Sequence, residues 1–205
     1  TRQGKEDPSR QEERQGRSSL CRPSGFLIWI HAASVGESLS ILPLISRLMD
    51  DHGAINILVT SGTRTSATLL GERLPARATH QYVPVDHPAS VRRFLDHWQP
   101  DMALWVESEF WPNLVLQTAA RKIPMSLINA RMSARSARRW RRLPNLVAPL
   151  LNAFDIILAQ SSSDADRFRA LGATAARDIG NLKFDGPPPP ADAADVTALS
   201  AAIDR

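Results

Sequence analysis

The stretch Ile28–Ser38, IWIHAASVGES, runs an apolar segment of strand length straight into Gly36 and the carboxylate of Glu37. Ile41, Ile45 and Leu48 follow at helical spacing, so the stretch reads as a strand, a turn and the start of a helix, with Pro43 tolerated near the first turns. In an α/β sheet the carboxyl end of a strand is where ligands sit. A Gly-Glu pair there can bring backbone close to a substrate and hold an ionised base beside it. A carboxylate at a helix N-terminus is also stabilised in its charged form by the helix dipole. On spacing alone Glu37 is a base or a helix cap, with equal claim to either.

Outward from this unit the pattern repeats. Apolar runs of strand length recur at Phe26–His31, Ile55–Thr60, His80–Val85, Met102–Val106, Met125–Ile128 and Asp155–Ala159. Helical segments lie between them. Asp86 is placed to cap a helix with Pro88 in its first turn and Val91, Phe94, Leu95 and Trp98 on one face. Ser161 to Asp164 open another, which Gly172 is placed to end. Strands alternating with helices predict a Rossmann-like α/β/α sandwich with a mostly parallel sheet over residues 25–186. Residues 1–24, rich in Arg, Glu, Gln and Ser, read as a loosely ordered polar arm or a juxtamembrane segment. Residues 187–205 begin with four prolines, a stiff connector to the start of a further domain.

The 205 residues are 43% hydrophobic, enough for one domain with a sizeable core. The single cysteine, Cys21, excludes an internal disulfide and fits a reducing compartment. The net charge of +4 suggests an anionic partner, for which nucleic acid, phospholipid and sugar phosphates all qualify. No apolar run approaches the ~20 residues of a bilayer span. The chain begins at Thr1 without a methionine, so a segment upstream is expected.

Three further segments carry candidate chemistry. WVESEFWPN, Trp105–Asn113, places Glu107 and Glu109 directly after an apolar strand, where a carboxylate is costly unless solvated or paired, so Glu107 should share a sheet rim with Glu37. The competing role for Glu109 is capping of the next helix, and Trp105 and Trp111 are read as core. INARMSARSARRWRR, Ile128–Arg142, holds six arginines and no acid and is suited to phosphate groups or an anionic bilayer, against the plainer reading of a solvated helix face. IGNLKFDG, Ile179–Gly186, puts Lys183 at a domain edge, where a cation can meet charge on a leaving phosphate or a sugar carboxylate. Neither G-x-G-x-x-G nor G-x-x-x-x-G-K-[ST] is present, so the dinucleotide fingerprint and the P-loop are excluded. Asp164-Ala165-Asp166 has a D-x-D form but sits in the first turn of a helix, and the five histidines show no paired ligand spacing, so no metal is expected.

In these motifs the chain resembles the N-terminal half of the bacterial 3-deoxy-D-manno-octulosonic acid (Kdo) transferases that act on lipid A. WIHAASVGES, VESEFWPN, INARMSARS and GNLKFD match family motifs in order and with family-like spacing, over about residues 4–186. The resemblance implies an inverting glycosyltransferase of the GT-B type, whose N-terminal domain binds the lipid A precursor (lipid IVA) and whose C-terminal domain binds CMP-Kdo. It implies Glu37 as general base, Glu107 and Lys183 as transition-state stabilisers, and Ser34, Gly36, Glu109, Asn129 and Arg131 on the acceptor. CMP leaves as a monophosphate, so neither a metal nor another cofactor is implied. The implied partners are the lipid A precursor, CMP-Kdo and the anionic inner-membrane surface rather than nucleic acid, and the implied location is the cytoplasmic face of that membrane.

The family's N-terminal anchor and its CMP-binding domain do not fall within these 205 residues, and the chain is expected to be inactive unaided. Phe110 in the WPN motif is an apolar replacement that leaves the chemistry untouched. Two other readings stay open on the residues: a GT-B nucleotide-sugar transferase with another acceptor, and a non-catalytic domain that binds anionic lipid.

Overall fold

The computed structural model describes residues 7–184 and 193–203. Seven strands form one sheet: β1 (Leu27–His31), β2 (Asn56–Ser61), β3 (Ala78–Tyr82), β4 (Met102–Val106), β5 (Met125–Ala130), β6 (Ile156–Ala159) and β7 (Ala176–Asp178). Their order across the sheet is β3-β2-β1-β4-β5-β6-β7, and every pairing is parallel. This is the Rossmann-like α/β arrangement expected from the alternating pattern. The strand order reverses between β1 and β4, and the crevice outside their carboxyl ends is the natural ligand position of such a sheet.

Helices cover both faces, which is why β1 is buried at every residue. Its side chains alternate between two cores. Leu27 and Trp29 enter one with Phe94, Trp98, Trp105 and Phe154, while Ile28 and Ile30 enter the other with Ile41, Ile45, Ile57 and Val106. Trp29 is the centre of the first, its ring 4.9 Å from Phe94 and 4.7 Å from Trp105, with the Trp105 contact edge-on. Trp105 is therefore core, as read. Trp111 is not: it is 43% exposed, because it precedes the first turn of the next helix at the sheet rim instead of lying on a buried face.

A short helix, α1 (Gln11–Arg14), precedes β1, and β1 leads into α2 (Val35–Asp51), which continues through Pro43. After β2 comes α3 (Arg64–Arg73), and β3 is followed by α4 (Pro88–Trp98). The cap of α4 is His87, whose Nδ1 accepts from Ala89 N. Asp86 turns elsewhere. Its carboxylate accepts from Asn113 N and Leu114 N at the start of α5 (Pro112–Ala120), whose own N-cap residue, Trp111, supplies no side-chain bond. That helix thus begins at Pro112 and is capped by Asp86 rather than Glu109.

After β5 come α6 (Ala134–Trp140) and α7 (Pro144–Asn152), and β6 leads into α8 (Ser162–Ala170). Ser161 caps α8, and Gly172, at φ +100°, ends it as expected, donating to Arg169 O. A 3-10 turn, Leu182–Phe184, follows β7, and α9 spans Ala193–Ile203. The seventh strand was not anticipated, because only Ala176 of its three residues is buried. The proline connector at 187–190 lies outside the described residues.

Residues 8–22 lie against the sheet edge rather than free. Glu13 accepts from Tyr82 N at 2.7 Å, Arg10 donates to His80 O, and Arg14 donates to Val83 O and Gly62 O. Gly16, at φ +79°, lies so close to Ser90 O that a Cβ would collide with it. A polar composition suggested loose order, but its charges bond to the backbone of the edge strand and so cover it.

Candidate active site

The rim above β1 and β4 is built from three loops. In the first, Ser34 is the N-cap of α2 and accepts from Glu37 N, while its hydroxyl donates to Glu37 Oε1 at 2.7 Å. Glu37 Oε2 accepts from Ala33 N at 2.8 Å. This is close to a capping box, with the Glu37 carboxylate reaching the backbone N of the residue before the N-cap, so the cap reading of Glu37 holds structurally. It does not exhaust the residue. Glu37 is buried, and desolvation raises its pKa above the usual carboxylate value; the Ser34 and Ala33 hydrogen bonds oppose the rise, and the nearby charges of Glu107 and Glu109 add to it. A carboxylate with raised proton affinity is better matched to taking a proton from a hydroxyl. Gly36 beside it is exposed, and a Cβ there would meet nothing within 4 Å. The fold's own packing does not require glycine at this position, which leaves the approach to Glu37 open.

The second loop leaves β4. Glu107 sits in the left-handed region at φ +62°, uncommon for a residue with a Cβ, and its N donates to Ile128 O. Backbone held there costs on the order of 1–3 kcal/mol and must be over-determined by its surroundings. The third loop leaves β5, where Asn129 has φ +50° and is buried. Asn129 Oδ1 accepts from Leu182 N at 3.0 Å, and Asn181 Oδ1 accepts from Lys183 N at 3.0 Å. The first bond ties the 3-10 turn to the sheet and the second closes the turn on itself, and the same turn packs on α2. Lys183 Nζ then reaches Glu107 Oε1 at 2.9 Å.

Glu37, Glu107 and Lys183 thus converge on one rim at the point where strand order reverses. Glu109 is half-buried and close enough to act on Glu37 electrostatically. Arg131 is exposed, its backbone N facing Glu107 O at 3.4 Å. Below the rim, His31 is fully buried at the end of β1 with Nδ1 3.0 Å from Thr60 Oγ1, and burial lowers its pKa to about 4, so it is neutral there. Among the described residues, Asn129 Nδ2 is buried with no hydrogen-bond partner. The part of Asn129 in setting Lys183 escaped the sequence reading; the only hint was that Asn tolerates the left-handed region better than other residues. Asp164 is structural: it accepts from Met132 N at 2.9 Å and Ser161 Oγ at 2.6 Å, fixing the loop after β5 to α8. Among the described residues no group of three or more His, Cys, Asp or Glu is arranged to hold a metal.

A family model described as "3-Deoxy-D-manno-octulosonic-acid transferase (kdotransferase)" matches residues 9–186. Proteins named 3-deoxy-D-manno-octulosonic acid transferase from Rickettsia bellii and Haemophilus influenzae are 36% and 35% identical, over 96% and 83% of this chain and 47% and 40% of their own lengths. A "probable" mitochondrial transferase of the same name from Arabidopsis thaliana is 39% identical over 83% of this chain and 38% of its own. The chain therefore spans about half, or less, of the length of these relatives. Among solved structures, a putative UDP-N-acetylglucosamine 2-epimerase from Listeria monocytogenes superposes with a TM-score of 0.59 at 11% identity, covering 86% of this chain and 51% of that one. The UDP-GlcNAc 2-epimerase of Neisseria meningitidis gives 0.55 at 15% identity, over 78% and 48%. At such identity these two share the fold.

Proposed function

Since the chain belongs to the 3-deoxy-D-manno-octulosonic-acid transferase family, we propose that it is the acceptor-binding half of a GT-B enzyme that transfers Kdo from CMP-Kdo to a lipid A precursor in lipopolysaccharide assembly. In this reading the acceptor hydroxyl approaches Glu37 over Gly36, and Glu37 takes its proton as the hydroxyl oxygen attacks the anomeric carbon. CMP departs with the electron pair of the broken bond. Lys183 offsets negative charge on the donor side, and Glu107 holds the ammonium in place. Ser34, Asn129, Arg131 and Glu109 surround the acceptor. CMP-Kdo itself is held by the partner half of the GT-B fold, and no metal or other cofactor takes part.

The observation that carries this reading is the convergence of a buried Glu37 of raised proton affinity with the Glu107–Lys183 pair at the strand-order switch. Among the described residues no helix is long and apolar enough to cross a membrane, and we place the domain at the cytoplasmic face of the inner membrane through its arginine-rich segment. The test is transfer from CMP-Kdo to lipid IVA by the intact enzyme carrying Glu37→Ala. Turnover should fall at least about 10²-fold with acceptor binding largely kept. Transfer at a near wild-type rate would overturn the assignment.

A further inference from the structure

Between α6 and α8 lies a groove of about 270 Å³ lined by Arg138, Arg141 and Arg167 and by the small residues Ala134, Ala137 and Ala170. No carboxylate lines it. Several arginines elsewhere are paired with carboxylates: Arg10 with Glu13, Arg22 with Asp101, Arg121 with Asp96 and Arg169 with Asp166. Arg138 and Arg141 are exposed, and among the described residues their guanidinium groups have no ion pair or hydrogen bond; the backbone N of Arg141 donates to Ala137 O. Arg167 is the fixed member. Its Nη1 donates to Met132 O at 3.1 Å and lies 3.3 Å from Asp164, a carboxylate already engaged by Met132 N and Ser161 Oγ.

A groove with one anchored guanidinium, two unneutralised ones and alanines between them suits a compact tetrahedral anion, since guanidinium forks match phosphate oxygens. What lies beside it selects the source. Leu143 is 53% and Leu146 38% exposed immediately after Arg141 and Arg142, and Trp140 is half-buried. Apolar side chains exposed next to a basic cluster fit an interface of headgroups and acyl chains better than open solvent. We propose that this groove is a binding site for the terminal phosphate of an anionic lipid headgroup, distinct from the Glu37 rim. The choice of a bilayer source rests on the membrane-facing reading above. The site also touches the chemistry: Met132, which Arg167 and Asp164 hold, adjoins Arg131, whose N faces Glu107 O.

The test is sedimentation of this chain with vesicles, without donor or acceptor sugar, so that it reads the groove independently of transfer. Phosphatidylcholine vesicles made negative with phosphatidic acid are compared with vesicles made equally negative with oleic acid. The double variant Arg138→Gln/Arg141→Gln is compared with Arg135→Gln/Arg139→Gln, which removes the same charge outside the groove. The groove variant should lose about tenfold more binding to phosphatidic acid vesicles than the control variant, and inorganic phosphate should compete with binding. Equal losses in the two variants, or equal binding of the wild type to both vesicle types, would reduce the effect to diffuse charge and overturn the site. Binding of inorganic phosphate without retention on phosphatidic acid vesicles would overturn the lipid source.

Discussion

Lys183 Nζ and Glu107 Oε1 lie 2.9 Å apart although 76 residues separate them in the chain. Lys183 is 45% exposed and Glu107 16%, so solvent screens the pair and its contribution to folding is small, under about 1 kcal/mol. A contact built on a left-handed backbone at Glu107 is costly to hold for so little stability. Lys183→Ala should therefore leave chemical denaturation nearly unchanged while lowering Kdo transfer by the intact enzyme about 10²–10³-fold. A large loss of stability with little loss of transfer would make the pair a structural clamp.

Ser34 sets how tightly Glu37 holds its proton. Its hydroxyl donates to the carboxylate and opposes the rise caused by burial. Ser34→Ala removes that donor, so the acid limb of the pH–rate profile should move to higher pH than in the wild type. The lost cap costs about 1 kcal/mol. Stability follows the same group with a definite sign. The folded-state pKa of Glu37 is raised, so the folded state binds the proton more tightly, and stability falls as pH rises from the unfolded pKa through the folded one. Glu37→Gln should flatten that decline in denaturation measured across the carboxylate range.

The strands were legible because helices on both faces force continuous apolar runs, as at Leu27–Ile30, and Gly172 and Ser161 mark the ends of α8 through local chemistry that needs no tertiary partner. What escaped depends on distant contacts. Asp86 looks like the cap of the helix that follows it, yet the donors it meets belong to Asn113 and Leu114, because α4 packs against α5 and brings their N-terminal ends together only in the folded domain. The arm composed like a solvated segment becomes ordered because Glu13 and Arg14 find the open backbone groups of an edge strand. Glu37 and Glu107 could be placed on one rim from strand ends alone. The Lys183 contact required the turns at Glu107 and Asn129, and left-handed backbone at non-glycine residues leaves little trace in composition.

Asn129 separates backbone strain from side-chain anchoring. Asn129→Gly relieves the left-handed conformation but removes the acceptor for Leu182 N; Asn129→Ala removes the same acceptor and keeps a Cβ at φ +50°. The alanine variant should be less stable than the glycine variant by about 1–2 kcal/mol in urea denaturation. Transfer should fall in both to a similar degree, because each frees the turn that presents Lys183. Retained transfer in the glycine variant would show that Lys183 needs no anchor at Leu182.

His80 links the arm to pH. It is held under Arg10, whose Nη2 lies 3.3 Å from Nδ1, with Ser61 Oγ 2.9 Å from Nε2 and the Tyr82 ring 5.5 Å away. Burial, then the charges of Arg10 and Arg14, lower its pKa to about 3 from an ordinary 6.5. Between those values the unfolded chain binds the proton and the folded one does not, so stability is complete above pH 6.5 and is lost progressively as pH falls toward 3. His31, lowered to about 4 by burial, adds a loss of the same sign. Together they should cost several kcal/mol by pH 4. His80→Gln should remove one part of that acid loss while leaving the backbone contacts of Arg10 and Glu13 in place. In hydrogen exchange expressed as protection factors, residues 8–22 of the wild type should lose protection between pH 7 and pH 5 and those of the variant should not, because only in the wild type does opening the arm free an imidazole to take up a proton. Equal loss in both would place the acid sensitivity at His31 instead.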